Sequence, residues 1–144
     1  MDGVDGLILS AETAIGTYVH ESVQIMRRIA FLAEQNTQYL DYQIKAMRSV
    51  PKPLNVSESI ASSAVITARQ VDATVIVVVT EGGGTARLVA KYRPQIPVIA
   101  ATMVKQTAEQ MNLHFGLVPY YHTGNPESVI QDTLRMCLEE TIDL

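Results

Sequence analysis

Three short apolar runs set the strongest limit on what this chain can fold into. They span Thr74–Thr80, Val98–Thr102 and Leu117–Tyr121, and none shows the polar alternation of a half-solvated strand. Runs of this length, bounded by turn residues, read as strands buried on both faces. Segments with helical spacing lie between them, Thr85–Tyr92 and Thr107–Leu113. Asn125 then caps a last helix with Pro126 at its first position. Such alternation predicts an α/β fold, a parallel sheet layered between helices as α/β/α, with right-handed crossovers. The last helix is expected to bury Val129, Ile130, Leu134, Cys137 and Leu138.

The first third of the chain reads differently. Leu7, Ile8 and Leu9 form a brief apolar run between Gly6 and Ser10, short enough to favour a buried strand over a helix. "SAETAIG" turns, and a long helical pattern starts near Tyr18. Val19, Val23, Met26, Ala30 and Ala33 mark its apolar face. The pattern runs weakly to Arg48, where "VPKPLN" ends it. Two prolines remove donors and hold the residues before them extended, so the domain boundary is expected there, dividing residues 1–50 from 51–144. Asn55 and Glu58 have capping-box spacing. Ile60, Ala61, Ala64, Val65 and Ala68 follow as the stripe of a further helix.

Composition excludes several roles. The chain has 144 residues, 47% hydrophobic, enough for a core in one ordinary domain. Only 18% are charged, against about 25% in typical proteins. That shortfall predicts a surface partly covered by other subunits or segments. A net charge of −4 gives no basic excess for nucleic acid or an anionic membrane. The N-terminal stretch "MDGVDGLILSAETA" has too short an apolar centre, and acidic flanks, for a signal peptide or a membrane span. A lone cysteine, Cys137, forms no internal disulfide and fits a reducing, cytoplasmic compartment. His20, His114 and His122 are scattered without ligand spacing, so no metal site is expected.

The first strand of the series ends in "TEGGGT", Thr80 to Thr85. In open α/β sheets ligands bind beyond the carboxyl ends of the strands. Consecutive glycines let backbone N–H groups of Gly82, Gly83 and Gly84 converge on an anion, and the helix that follows points its positive end at the same place. Thr80 and Thr85 offer hydroxyls; Arg87 and Lys105 offer positive charge. Neither the Walker pattern nor the dinucleotide fingerprint is present. Glu81 brings a charge that repels phosphate unless it faces solvent. The loop is thus either a phosphate cradle or the sharp turn that any buried strand needs before a helix.

Two segments bring a family into view. "DGVDGLILSAETAIGTY" resembles the end of the catalytic barrel of pyruvate kinase, and "VVTEGGGTARLVAKYRPQIPVIAAT" resembles that family's C-terminal domain. The likeness holds in order over nearly the whole chain and weakens after Leu117. It implies that residues from Asp2 to about Thr17 are the last strand and active-site loop of a TIM-type barrel, with the helix from Tyr18 as the last barrel helix. It implies that the remainder is a regulatory α/β domain lacking its final strands. It makes Thr80, Glu81, Gly82, Gly83, Gly84 and Thr85 the loop holding a phosphate of an allosteric sugar phosphate, often fructose bisphosphate. The family transfers phosphate from phosphoenolpyruvate to ADP with magnesium and usually potassium, commonly as a homotetramer.

The departures are specific. Ala11 stands for the family's Gly, Ile15 for its Lys and Val19 for its Pro; Gly82 replaces a Ser or Thr. The family's catalytic lysine and the acidic pair that holds its metal cannot be matched here. Ser10, Glu12 and Thr13 sit where barrel strands carry catalytic groups, although loop Ser and Thr more often serve capping and loop hydrogen bonding. Phosphoryl transfer needs metal and cationic groups around the developing charge, which these residues do not supply. The chain is therefore expected to hold no cofactor and to be inactive alone. A stand-alone sugar-phosphate-binding or interaction module derived from the same domain is the competing reading.

Overall fold

The computed structural model describes residues 3–35 and 38–139. They fall into two compact units, Met1–Gln38 and Tyr39–Leu144.

In the smaller unit, α1 (Ala11–Ala14) packs on α2 (Val19–Gln35). The long helical pattern thus divides in two, its later part forming α3 (Tyr39–Ser49) in the larger unit. Leu7–Leu9 does not form the expected strand: it joins no ladder, and Ile8 is 94% exposed. A strand needs a hydrogen-bonded neighbour, and the described residues of this unit provide none. The anticipated apolar face of α2 has no buried member either. Asp2, the first residue of the expected strand and loop, lies outside the described residues.

In the larger unit β1 (Ile76–Val79), β2 (Val98–Thr102) and β3 (Leu117–Tyr121) form a parallel sheet in the order β1-β2-β3. Ile76 pairs with Val98 and Val98 with Leu117, so one side of each strand faces the same layer. On that side Ile76, Val78, Val98 and Ala100 form one core with Ala61, Val65 and Ala68 of α4 (Val56–Gln70) and Ala86, Val89 and Ala90 of α5 (Gly84–Lys91). Met111, at the end of α6 (Lys105–Met111), joins the same core. Placing both crossover helices, α5 and α6, on one face is what right-handed connections with monotonic strand order require.

Ile99 and Ala101 point to the opposite face and are fully buried. There α7 (Val129–Glu139) lies against β1 and β2, completing three layers. Its buried residues are Val129 and Thr133, whereas Ile130, Leu134 and Leu138, expected in the core, are 55%, 46% and 85% exposed. Cys137 is half-buried. Two neighbouring stripes on this helix could have packed on the sheet. The one chosen carries Thr133, whose hydroxyl bonds the Val129 carbonyl of its own helix at 2.5 Å and so enters an apolar contact satisfied. Ile60 is likewise 60% exposed, outside the α4 stripe assigned to it.

The caps match the sequence pattern. Asn55 accepts from the Glu58 N–H at 2.7 Å, and Asn125 accepts from the Glu127 N–H at 3.0 Å at the 3-10 turn leading into α7. Asn55→Ala is expected to cost about 1 kcal/mol in urea unfolding, the usual worth of an N-cap.

The capping box is only half made. The Glu58 carboxylate does not turn back to Asn55. It is buried, and accepts the Tyr92 hydroxyl and, at 2.9 Å, the Lys91 ammonium of α5 and its C-cap. These bonds, that from Tyr92 first and that from Lys91 second, hold the Glu58 carboxyl below its ordinary range. Burial, and then the bond to Glu58, push the Tyr92 hydroxyl up to about 12.

Candidate functional site

The loop after β1 sits at the carboxyl edge of the sheet. The Thr80 N–H bonds the Ala101 carbonyl at 2.9 Å, carrying the β1 pairing one residue past the strand, and Thr80 is buried. The chain then leaves the sheet. Glu81, Gly82, Gly84 and Thr85 are exposed, while Gly83 is buried between them. Gly83 has φ +76°, the left-handed region that favours glycine, and its carbonyl starts α5 by accepting the Arg87 N–H at 3.0 Å. A Cβ there would lie 3.3 Å from Met111 Cγ and 3.4 Å from Thr107 Cγ2, so the turn presses on α6. Above Gly82 and Gly84 the space is open.

No side chain caps the start of α5. Its first N–H groups therefore face outward beside the exposed Gly82, Gly84 and Thr85, the geometry of an anion nest. The loop is braced from the next strand end: Thr102 donates its hydroxyl to the Glu81 carbonyl at 3.2 Å and accepts the Val104 N–H at 3.1 Å. That bond engages the Glu81 backbone and leaves its side chain exposed. Arg87 reaches back to the Gly82 carbonyl at 3.5 Å, bringing its guanidinium to the loop. Lys105 is committed weakly to Glu109 at 3.9 Å.

Four of the six loop residues, Glu81, Gly82, Gly84 and Thr85, are exposed here; Gly83 is buried in the turn, and Thr80, also buried, serves the strand end. Sequence reading missed Thr102, Thr107 and Met111. The available signal was position: Thr102 closes β2 at the same sheet edge, where loops following adjacent strands meet.

In the smaller unit Ser10, Glu12 and Thr13 form a local turn. Glu12 Oε2 accepts the Ser10 N–H at 3.0 Å, and Thr13 donates to the Ser10 carbonyl at 3.3 Å. Bonds from the backbone N–H groups of Glu12 and of Ser10 hold the Glu12 carboxyl below its usual value. All three residues thus have hydrogen-bonding roles at the start of α1.

Tyr92-Arg93-Pro94 ends α5 as a built structure. Arg93 adopts φ +49°, its guanidinium lies over Phe115 at 4.1 Å, and its carbonyl accepts from Gln43 Nε2 at 3.1 Å. Among the described residues no group of three His, Cys, Asp or Glu side chains could hold a metal ion, and no helix is long and apolar enough to cross a membrane.

Comparison with known proteins gives a consistent picture. Residues 58–142 match the family described as pyruvate kinase, alpha/beta domain. A probable cytosolic isozyme of pyruvate kinase from Arabidopsis thaliana is 36% identical over 96% of the chain, and a pyruvate kinase from Dictyostelium discoideum is 42% identical over 83%. The crystal structure of a pyruvate kinase from Cryptosporidium parvum superposes with a TM-score of 0.82 at 38% identity, covering 92% of the chain. The match spans 31%, 24% and 27% of these three proteins respectively, so the chain corresponds to under a third of each.

Proposed function

Because the chain belongs to the pyruvate kinase family, we propose that it is the C-terminal part of such an enzyme, carrying the effector loop and part of the subunit-contact region. The parent protein would transfer phosphate from phosphoenolpyruvate to ADP in the cytoplasm, as a homotetramer, with magnesium and potassium. Among the described residues no carboxylate cluster fits the metal, so no catalytic step is assigned to this chain. On this reading residues 1–50 close a catalytic barrel and residues 51–144 form the regulatory domain. Ser10, Glu12 and Thr13 then lie near the parent's active site and shape its loop. The purified chain is expected to form no pyruvate from phosphoenolpyruvate and ADP; measurable turnover would overturn that part.

Residues Thr80–Thr85 are assigned to a phosphate of a sugar-phosphate effector. The observation that carries this is the uncapped N-terminus of α5 beside a left-handed Gly83 and two unobstructed glycines. The backbone donates, Thr85 can add a hydroxyl, and Arg87 supplies the positive charge.

Gly82→Asp tests the assignment without disturbing the turn, because nothing lies within 4 Å of a Cβ at that position. It places a carboxylate where the phosphate would sit. Calorimetric titration of the chain with fructose 1,6-bisphosphate is expected to show affinity falling about tenfold or more, the effect of like charges in contact. Unchanged affinity at unchanged stability would remove the phosphate from this loop.

A further inference from the structure

The peptide between Glu81 and Gly82 has its orientation set from outside the glycine loop. Thr102, 1% exposed at the end of β2, donates its hydroxyl to the Glu81 carbonyl at 3.2 Å. The direction of that bond is fixed by chemistry. A carbonyl only accepts, and the same hydroxyl oxygen already accepts the Val104 N–H at 3.1 Å, so its own hydrogen goes to Glu81. The sheet holds Thr102 in place: it pairs with Tyr121, and its carbonyl accepts the His122 N–H at 2.9 Å.

A trans peptide is planar, with its carbonyl and its N–H pointing in opposite directions. Pinning the Glu81 carbonyl on Thr102 therefore turns the Gly82 N–H away from the end of β2. Gly82 is exposed, and among the described residues no protein acceptor takes that N–H. Nothing in the loop's own backbone enforces this orientation. Gly82 has no Cβ, and open space lies where one would stand. Glycine takes either sign of φ about equally readily. Without the bond from Thr102 the peptide is free to turn over, and a carbonyl would then stand where the N–H now does.

We infer that Thr102 is a positioning residue for the effector loop: its hydroxyl selects the orientation of the Glu81–Gly82 peptide in which an N–H, and not a carbonyl, meets a bound phosphate. This rests on the assignment of the loop to a phosphate. The two orientations act on the ligand with opposite sign. An outward N–H attracts a phosphate oxygen, and an outward carbonyl repels it. Affinity therefore scales with the fraction of chains that hold the N–H outward. Thr102 touches no ligand itself and acts only through this peptide.

The test is calorimetric titration of the full 144-residue chain with fructose 1,6-bisphosphate. Thr102→Val removes the hydroxyl and keeps the branched shape. Its affinity is expected to fall about threefold to tenfold, the worth of one hydrogen bond in choosing between two orientations. Thr102→Ala lacks the hydroxyl without adding a methyl, and gives the same reading where Val crowds the loop. Thr102→Ser restores the hydroxyl and should bind within about twofold of the native chain. Asn55→Ala weakens a helix cap outside the loop and should leave the affinity unchanged, so lost stability alone does not imitate the effect. Residual dipolar couplings of the backbone N–H groups follow the peptide without any ligand. The Gly82 value should change in Thr102→Val while those of α5 stay the same. Native affinity in folded Thr102→Val, a loss in Thr102→Ser equal to that in Thr102→Val, or an unchanged Gly82 coupling would each overturn the inference. A native chain that binds no fructose 1,6-bisphosphate would instead remove the phosphate assignment, and the positioning role with it.

Discussion

Gly83→Val is expected to lower the stability of the chain by about 2–6 kcal/mol. Two costs add. The backbone at φ +76° forces a β-branched residue into a left-handed conformation, about 1–3 kcal/mol for such outliers. The new side chain also meets Met111 and Thr107 at distances already tight for a single Cβ, and overpacking of this kind costs about 1–3 kcal/mol. Met111 is 1% exposed and belongs to the core beneath α5, so the strain enters the centre of the sheet unit. For a domain of this size the loss corresponds to about 5–15 °C in melting temperature. Gly82→Ala is the control. Its Cβ meets open space, and its effect should stay within about 1 kcal/mol in either direction. Equal stabilities for the two variants, measured by urea unfolding, would contradict the left-handed turn at Gly83. The contrast also separates folding from binding in one loop: Gly83 shapes the turn, whereas Gly82 faces whatever the turn holds.

What the sequence made legible follows from which physical signals are local. The three strands were readable because each is a continuous apolar run buried on both faces, and the two asparagine caps because capping depends on residues two or three apart. The resemblance to pyruvate kinase rested on two ordered motifs, and the family match from residue 58 agrees with it. Packing choices were less visible. Helical spacing groups Val129 with Thr133 and Ile130 with Leu134, but it does not say which stripe meets the sheet. Hydrophobicity drew residues from both, and of these the structure buries Val129, beside Thr133, whose hydroxyl is satisfied within its own helix. Leu7–Leu9 had the composition of a strand, yet pairing partners decide strands, and composition cannot supply them. In the candidate site, the glycines and flanking threonines stood out by their place after the first strand, and the resemblance marked all six residues as one loop. Thr102, which braces the loop, lies about twenty residues away, and only the parallel register of β1 with β2 brings it there.

Glu58 provides the second large effect, and a pH signature with it. Glu58→Leu should cost about 2–4 kcal/mol. It removes charge-assisted bonds from Tyr92 and Lys91, worth about 1.5–3 kcal/mol as a class, and leaves Ser62 as the remaining partner of the Tyr92 hydroxyl, on a tyrosine that is 1% exposed. Most of the loss belongs to Tyr92, because the Lys91 side chain is 40% exposed and solvent screens its ion pair. The carboxyl's folded value lies below its ordinary 4.5. Its contribution is therefore complete above pH 4.5 and disappears as pH falls through the lower folded value. The Tyr92 hydroxyl is shifted the other way, from 10 to about 12. Its contribution is complete below pH 10 and disappears as pH rises toward 12, because ionisation would set a phenolate against the Glu58 carboxylate. Urea-unfolding midpoints measured across pH should show both arms in the native chain. Tyr92→Phe should be less stable at pH 7 and should lack the decline between pH 10 and 12 attributable to this hydroxyl. Glu58→Leu should lose the acid arm. An alkaline decline unchanged in Tyr92→Phe would mean that the Glu58–Tyr92 bond does not hold α4 to the end of α5.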